Sequence, residues 1–520
     1  MQIYVSGTEA GIVPGRPICG FFPLSQLFEM PGSGIVESAM ENQFDIIIIG
    51  SGPGGYVAAL RAAKLGKKVA IVESREIGGT CLNRGCIPTK TLMHSSHLFY
   101  EAKHLEELGI TVQGIHLDLK KLKERKENVV GRIRQGVLGL LEANKITVLH
   151  GRAKITSPGE VEVLRMEEAG PGASSAQMLQ EPEKLQAHKL LIATGGKPVI
   201  PRLEGADLPN IITSDELLSM EKVYQKLLII GGGVIGVECA TIYREMGYEV
   251  EIIEAMDRIL PGMDKEISQS ISMSLKKKGV VIHTKSRVTR FLELEDHSLG
   301  CEYTEKDTVR LAQAEGILLA IGRRADTEGL LAEGLALELE GNTIRVNEAF
   351  ETSIPGVYAI GDAVNKTGQL AHMASAQGIC AVEKMFGERP DINLKVVPSC
   401  IYTSPEAATV GLSEEEAVQA GYRVKVGKYP MLGNGKTLLS AGDRGFIKVI
   451  CDEDTLQILG AVLLCDRATD MVSEFATAIV NGLTARDLAA VIRPHPTYSE
   501  AVTEAVCDVE GMALHLMPKR

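Results

Sequence analysis

Cys81 and Cys86 stand five positions apart in Gly78-Gly79-Thr80-Cys81-Leu82-Asn83-Arg84-Gly85-Cys86-Ile87-Pro88-Thr89-Lys90. Two thiols at this spacing in a glycine-flanked turn can close a small disulfide ring. Reopening it would leave one thiol exposed and the other held inside. Pro88 opens what reads as a helix, since proline suits a first helical turn, and a helix N-terminus favours a thiolate. Taken alone, a C-x4-C pair reads more readily as a structural disulfide or as two unpaired buried thiols. A second reactive group lies near the other end, in Ile492-Arg493-Pro494-His495-Pro496-Thr497-Tyr498-Ser499-Glu500. A histidine changes charge near neutral pH, and a carboxylate such as Glu500 can fix its tautomer and stabilise the imidazolium. By itself, a histidine between two prolines is most often a loop residue.

The elements around the thiols decide between these readings. Asp45-Ile46-Ile47-Ile48-Ile49 predicts a buried parallel strand, which runs into Gly50-Ser51-Gly52-Pro53-Gly54-Gly55. Residues 58–65 predict a helix, and 69–72 a second strand ending at Glu73. Gly50, Gly52 and Gly55 take the G-x-G-x-x-G positions, which permit a tight turn and bring backbone N–H groups close to a pyrophosphate. Glu73 could then accept hydrogen bonds from a ribose. The unit recurs: a strand over Lys226–Ile230, glycines at Gly231, Gly233 and Gly236, and a strand over 250–253 ending at Glu254. Gly50 to Glu73 and Gly231 to Glu254 both span 23 positions. A lone glycine motif is weak; strand, helix and terminal acid repeated in one order predict two dinucleotide sites. A disulfide between two such sites is a redox relay.

The cysteine segment resembles the active-site disulfide of the flavin-dependent pyridine nucleotide–disulfide oxidoreductases. Its Cys-Leu-Asn-x-Gly-Cys-Ile-Pro form is most similar to their dihydrolipoyl dehydrogenase branch. The resemblance runs from near Phe44 to near Cys507. It implies an α/β fold of two Rossmann-like dinucleotide-binding domains with a C-terminal α+β dimerisation domain. The expected extents are 1–40 for an extension, 41–195 for the FAD-binding domain, 196–322 for the NAD-binding domain, 323–394 for a central domain completing the FAD site, and 395–520 for dimerisation. The resemblance also implies that FAD meets Gly50, Gly52, Gly55, Glu73, Thr80, Lys90, Ala153, Thr194, Gly195, Asp362, Leu370, Ala371 and His372. NAD would meet Gly231, Gly233, Gly236, Glu254, Val288 and Gly322, and no metal is expected.

The implied activity is oxidation of dihydrolipoyl groups on a carrier protein, with reduction of NAD to NADH. Cys81 would be the outer thiol and Cys86 the one against the flavin. His495 with Glu500 would be the acid–base pair, and Lys90 and Glu238 an ion pair near flavin N5. Lys90 follows Cys86 by one helical turn and can share its face. The partners implied are a second copy of the chain and a lipoylated carrier of a 2-oxo acid dehydrogenase or glycine cleavage complex. Glu254 would repel a 2′-phosphate, although Arg258 lies four residues on. A glutathione-reductase-like chain would want arginines in place of Glu254. A mercuric-reductase-like chain would want a cysteine pair near the C-terminus, and none follows Cys507. A non-catalytic NAD-sensing flavoprotein would not need Cys81, Cys86 and His495 together.

The chain is 520 residues long, which exceeds one compact core, so three or four domains are expected. Its net charge of −12 argues against nucleic acid or anionic membrane as a main partner. No apolar run approaches a membrane span. The ten cysteines lack a disulfide-framework spacing, which predicts a reducing compartment and a cytoplasmic protein. Residues 1–39 lack both the basic start and the apolar stretch of a secretory signal, and carry too little Arg for a mitochondrial one. They read as a flexible tail or an upstream start assigned in error before Met40. Residues 101–143 predict one or two surface-packed helices. Residues 164–187 predict a polar hairpin or loop insertion, and residues 190–196 a strand crossing between the nucleotide domains.

Overall fold

The computed structural model describes residues 42–165, 181–364, 368–442 and 445–517. The expectation for residues 1–39 therefore lies outside the described residues, as does the one for positions 166–180 of the polar insertion.

The first sheet is built outward from Gln43–Ile49. Val69–Glu73 pairs with it in parallel on one side and Glu183–Ile192 on the other, which buries Ile46, Ile47, Ile48 and Ile49. A strand covered on both faces has no solvent side to keep polar, hence the unbroken isoleucine run. Thr147–Ser157 extends the sheet beyond Val69–Glu73, and Val357–Ala359 extends it beyond Glu183–Ile192, both in parallel. Helix Pro53–Lys64 follows the first strand and packs on helix Ala371–Met385. The approach is close: a Cβ on Gly378 would stand 2.6 Å from the Gly54 carbonyl oxygen. Strand Glu160–Arg165 turns back along Thr147–Ser157 and pairs antiparallel with Glu183–Ile192, so the described ends of the polar insertion are a strand pair.

The second sheet repeats this plan. Lys226–Ile230 lies between Glu249–Ile253 and Gly316–Leu319, with Val281–His283 and Ile211–Ile212 outermost, all parallel. Helix Val234–Met246 follows the central strand, and Ser286–Glu293, Leu299–Glu305 and Thr308–Ala314 form an antiparallel meander beside it. The strand expected over 190–196 divides in two. It stops at Ile192, and Gly195 at φ +70° turns the chain before Gly196–Pro198 pairs with Arg323–Ala325. Helix Leu119–Ala143 accounts for the longer part of the charged 101–143 stretch, burying Leu122, Lys126, Val137 and Leu141.

The third sheet is antiparallel, in the order Ser399–Ile401, Ala407–Gly411, Ile458–Leu464, Phe446–Asp452, Val424–Pro430. Helices Ala468–Val480, Ala485–Ala489 and Glu500–Asp508 close its apolar face around Phe475 and Val502. Among the described residues, no helix is long and apolar enough to cross a membrane.

Candidate redox site

Cys81 and Cys86 are joined as a disulfide, their Cα atoms 4.8 Å apart. The segment is not one turn leading to a helix at Pro88. Cys81 lies in a short helix, Gly79–Arg84, and Cys86 is itself the first residue of helix Cys86–Ala102. Gly78 at φ +96° and Gly79 at φ +59° bend the chain into the first helix. Asn83 Nδ2 then donates to the carbonyls of Ile77 (3.0 Å) and Gly79 (2.9 Å), closing the bend with a side chain. Pro88 falls third in the long helix, still within the turn whose N–H groups have no intrahelical acceptor. Cys86 therefore sits at the positive end of a 17-residue helix.

One turn on, Lys90 Nζ donates to Glu238 Oε2 at 2.7 Å. Glu238 comes from helix Val234–Met246 and is buried, so the pair joins the cysteine helix to the second nucleotide unit. Its other oxygen accepts the Tyr402 backbone N–H at 3.2 Å, and Lys90 Nζ lies 4.6 Å from the centre of the Tyr402 ring.

The two glycine cradles match atom for atom. A Cβ on Gly55 would stand 1.9 Å from the Gly50 carbonyl oxygen, and one on Gly236 would stand 2.1 Å from that of Gly231. At Gly52 and Gly233, by contrast, a Cβ would meet nothing within 4 Å. Each of these residues is the N-cap of its helix, with no side chain capping the helix. Among the described residues both helix N-termini thus have room at the cap position, which fits a pyrophosphate. The strand-end acids match as well. Glu73 accepts the Ser51 backbone N–H (2.8 Å) and that of Arg75 (2.8 Å); Glu254 accepts those of Gly232 (2.6 Å) and Met256 (2.7 Å). Each carboxylate anchors its own loop and keeps lone pairs for a ribose hydroxyl.

The remaining expected contacts fall in several places. Thr80 lies in the short helix beside Cys81, and Thr194 Oγ1 is buried with no hydrogen-bond partner among the described residues. Gly195 and Gly322 flank the crossover strands, where a Cβ on either would meet nothing. Burial pushes the Asp362 carboxyl up, and the Arg323 guanidinium opposes this. Leu370 caps helix Ala371–Met385, whose first turn lies against Gly54. His372 Nε2 is hydrogen-bonded to the Pro398 carbonyl oxygen at 2.9 Å. Ala153 is buried in the first sheet's core, and Val288 packs against the second sheet. Arg258 hydrogen-bonds to the Pro261 carbonyl, and its Nε is buried without a hydrogen-bond partner among the described residues.

His495 and Glu500 form a pair by themselves, Nδ1 to Oε1 2.9 Å. Glu500 Oε2 accepts the Thr497 backbone N–H at 2.8 Å, and Asn434 Nδ2 holds the Thr497 carbonyl at 3.0 Å. The His495 side chain is 79% exposed, and no hydrogen bond or ion pair among the described residues ties its loop to the cysteine segment. The Thr497 N–H, with His495 beside it, holds the Glu500 carboxyl below the usual carboxylate range. A depressed folded pKa contributes stability above the unfolded value near about 4.3 that is lost as pH falls through the folded value. Glu500→Gln should accordingly lower the melting temperature at pH 7, and the difference should close in acid below the folded pKa.

Residues 44–378 match the family described as pyridine nucleotide-disulphide oxidoreductase, and residues 397–506 match its dimerisation domain. The chain is 41% identical over 483 residues to a dihydrolipoyl dehydrogenase of Bacillus subtilis (strain 168), which covers 92% of this chain and 100% of that one. It is 39% identical over 479 residues to a dihydrolipoyl dehydrogenase of Thermus scotoductus, with 91% and 99% covered. Among solved structures, LpdA from Mycobacterium tuberculosis superposes with a TM-score of 0.79 at 26% identity, covering 90% of this chain and 99% of that one. The Cu(II) complex of the HOCl-induced flavoprotein disulfide reductase RclA from Escherichia coli gives a TM-score of 0.76 at 27% identity, with 90% and 100% covered.

Proposed function

The chain belongs to the pyridine nucleotide–disulphide oxidoreductase family, and from that premise we propose that it is a dihydrolipoyl dehydrogenase acting on a lipoylated carrier protein with NAD. The observation that carries this reading is the Cys81–Cys86 disulfide closed at a helix N-terminus, beside one dinucleotide cradle and tied to the other through Lys90 and Glu238.

In the proposed cycle, His495 takes a proton from one thiol of the dihydrolipoyl group, and Glu500 holds the resulting imidazolium. The substrate thiolate attacks Cys81 Sγ, the Cys81–Cys86 bond breaks, and Cys86 leaves as a thiolate stabilised by its helix N-terminus. The second substrate thiol then attacks the substrate sulfur of the mixed disulfide. Cys81 leaves and takes up that second proton, and the lipoyl disulfide is released. The first proton stays on His495 until solvent removes it. FAD, when bound over the first cradle, supplies transfer of the electron pair from the thiols to the nicotinamide of NAD. For FAD the chain provides the uncapped helix N-terminus at Gly52, Glu73, Thr194 and Asp362. For NAD it provides the Gly231 loop and Glu254.

The test is turnover of a dihydrolipoyl carrier domain by the purified protein with FAD retained. NAD should be reduced at a kcat/KM at least about a hundredfold above that for NADP, because a phosphate dianion beside the buried Glu254 meets a like charge. Equal values would show that Arg258 overrides the acid. Failure to oxidise any lipoyl carrier would overturn the substrate assignment.

A further inference from the structure

Three separate parts of the chain meet at the Lys90–Glu238 pair, and the third is Tyr402. Lys90 comes from the cysteine helix and Glu238 from the helix of the second cradle. Tyr402 directly follows Ser399–Ile401, the edge strand of the third sheet. It touches both partners: its ring centre lies 4.6 Å from Lys90 Nζ, and its backbone N–H reaches Glu238 Oε1 at 3.2 Å. Glu238 thus spends one oxygen on Lys90 and the other on Tyr402.

A lysine is a compact cation on a flexible four-carbon stem, and one ion pair leaves it several rotamers. An aromatic face placed against the ammonium removes most of them, because the ring's negative face attracts the cation. Burial pushes the Tyr402 hydroxyl up, so the ring stays neutral at working pH and keeps its negative face.

We propose that Tyr402 is a positioning residue that holds Lys90 against Glu238, so that the domain classed as pairing subunits also sets the charge one helical turn from Cys86. This rests on the reading, given above, that the Lys90–Glu238 pair serves the redox centre. Two variants separate ring from hydroxyl: Tyr402→Phe keeps the π face, and Tyr402→Met keeps bulk without it.

The first readout needs no turnover. The full-length protein as purified is treated with acetic anhydride, and the acylation rate of Lys90 is followed by peptide mass spectrometry. Tyr402→Met should raise that rate about fivefold and Tyr402→Phe should leave it within about twofold, the range a cation–π contact spans. The second readout is kinetic. Tyr402→Met should lower kcat about tenfold with KM for NAD unchanged, and should cost nothing further in a Lys90→Met background, because it acts through the lysine.

Wild-type Lys90 reactivity in Tyr402→Met, or a full kcat loss persisting in the Lys90→Met background, would overturn the inference. A Lys90→Met variant with undiminished kcat would instead overturn the reading that the pair serves the redox centre, while the acylation rate still judges the positioning. If Tyr402→Met does not fold, Tyr402→Leu takes its place in both measurements.

Discussion

Cys81→Ser and Cys86→Ser should each reduce dihydrolipoyl turnover by at least about a thousandfold, the scale on which loss of a covalent group is felt. Neither serine can form or accept the disulfide, so the exchange has no protein sulfur to attack or to expel. The two variants should differ in what remains. Cys81→Ser leaves Cys86 as a single, half-buried thiol at the first position of a 17-residue helix. Its alkylation by iodoacetamide should therefore follow a pH profile with a midpoint below the ordinary thiol value of about 8.5. Cys86→Ser leaves Cys81, which lies in the separate short helix Gly79–Arg84, and its profile should lie closer to that ordinary value. Electron transfer from NADH to a dye needs neither thiol and should survive in both, which distinguishes a broken exchange from a broken fold. Retained lipoyl turnover in either variant would remove the disulfide from the mechanism.

Much of this arrangement could be read along the chain because it obeys local rules. The two glycine loops and their acids depend on contacts across 23 positions or fewer, and the carboxylate–N–H bonds at Glu73 and Glu254 repeat that regularity. The start of the cysteine helix was less legible. Proline at a first turn is a good signal, but the Asn83 side chain closes the preceding bend and allows the helix to begin two residues earlier, at Cys86. Tyr402, Arg323 and Asn434 carried no signal at all. Each acts on residues far away in sequence: Tyr402 on Lys90 across 312 positions, Arg323 on Asp362 and the Gly196 carbonyl, Asn434 on the Thr497 carbonyl. An aromatic after a short edge strand looks like any other until the sheet is placed. The pair of His495 with Glu500 was legible from its spacing, whereas no hydrogen bond or ion pair among the described residues links it to the disulfide.

A Cys81→Ser chain and a His495→Gln chain, each nearly inactive alone, should regain up to about a quarter of wild-type activity when mixed under conditions that exchange subunits. The His495 side chain is 79% exposed, and its one hydrogen bond among the described residues goes to Glu500. A histidine left so open, with its carboxylate already fixed by the Thr497 N–H, is oriented toward solvent-accessible space. Beside it Ile492 is 96% exposed and Val491 49%, an apolar edge on the domain that matches the family's dimerisation domain. A two-fold interface formed there would bury that edge and carry each histidine to the other chain's disulfide, serving two sites with one self-complementary surface. In a mixed dimer, one site then joins the intact Cys81 of one chain to the intact His495 of the other, and the second site carries both lesions. Random pairing makes half the dimers mixed, and half of their sites active. Exchange is verified by native mass spectrometry and turnover is measured on the same sample. Recovery near a quarter would assign the shared site; no recovery, with mixed dimers present, would mean that His495 serves its own chain or takes no part.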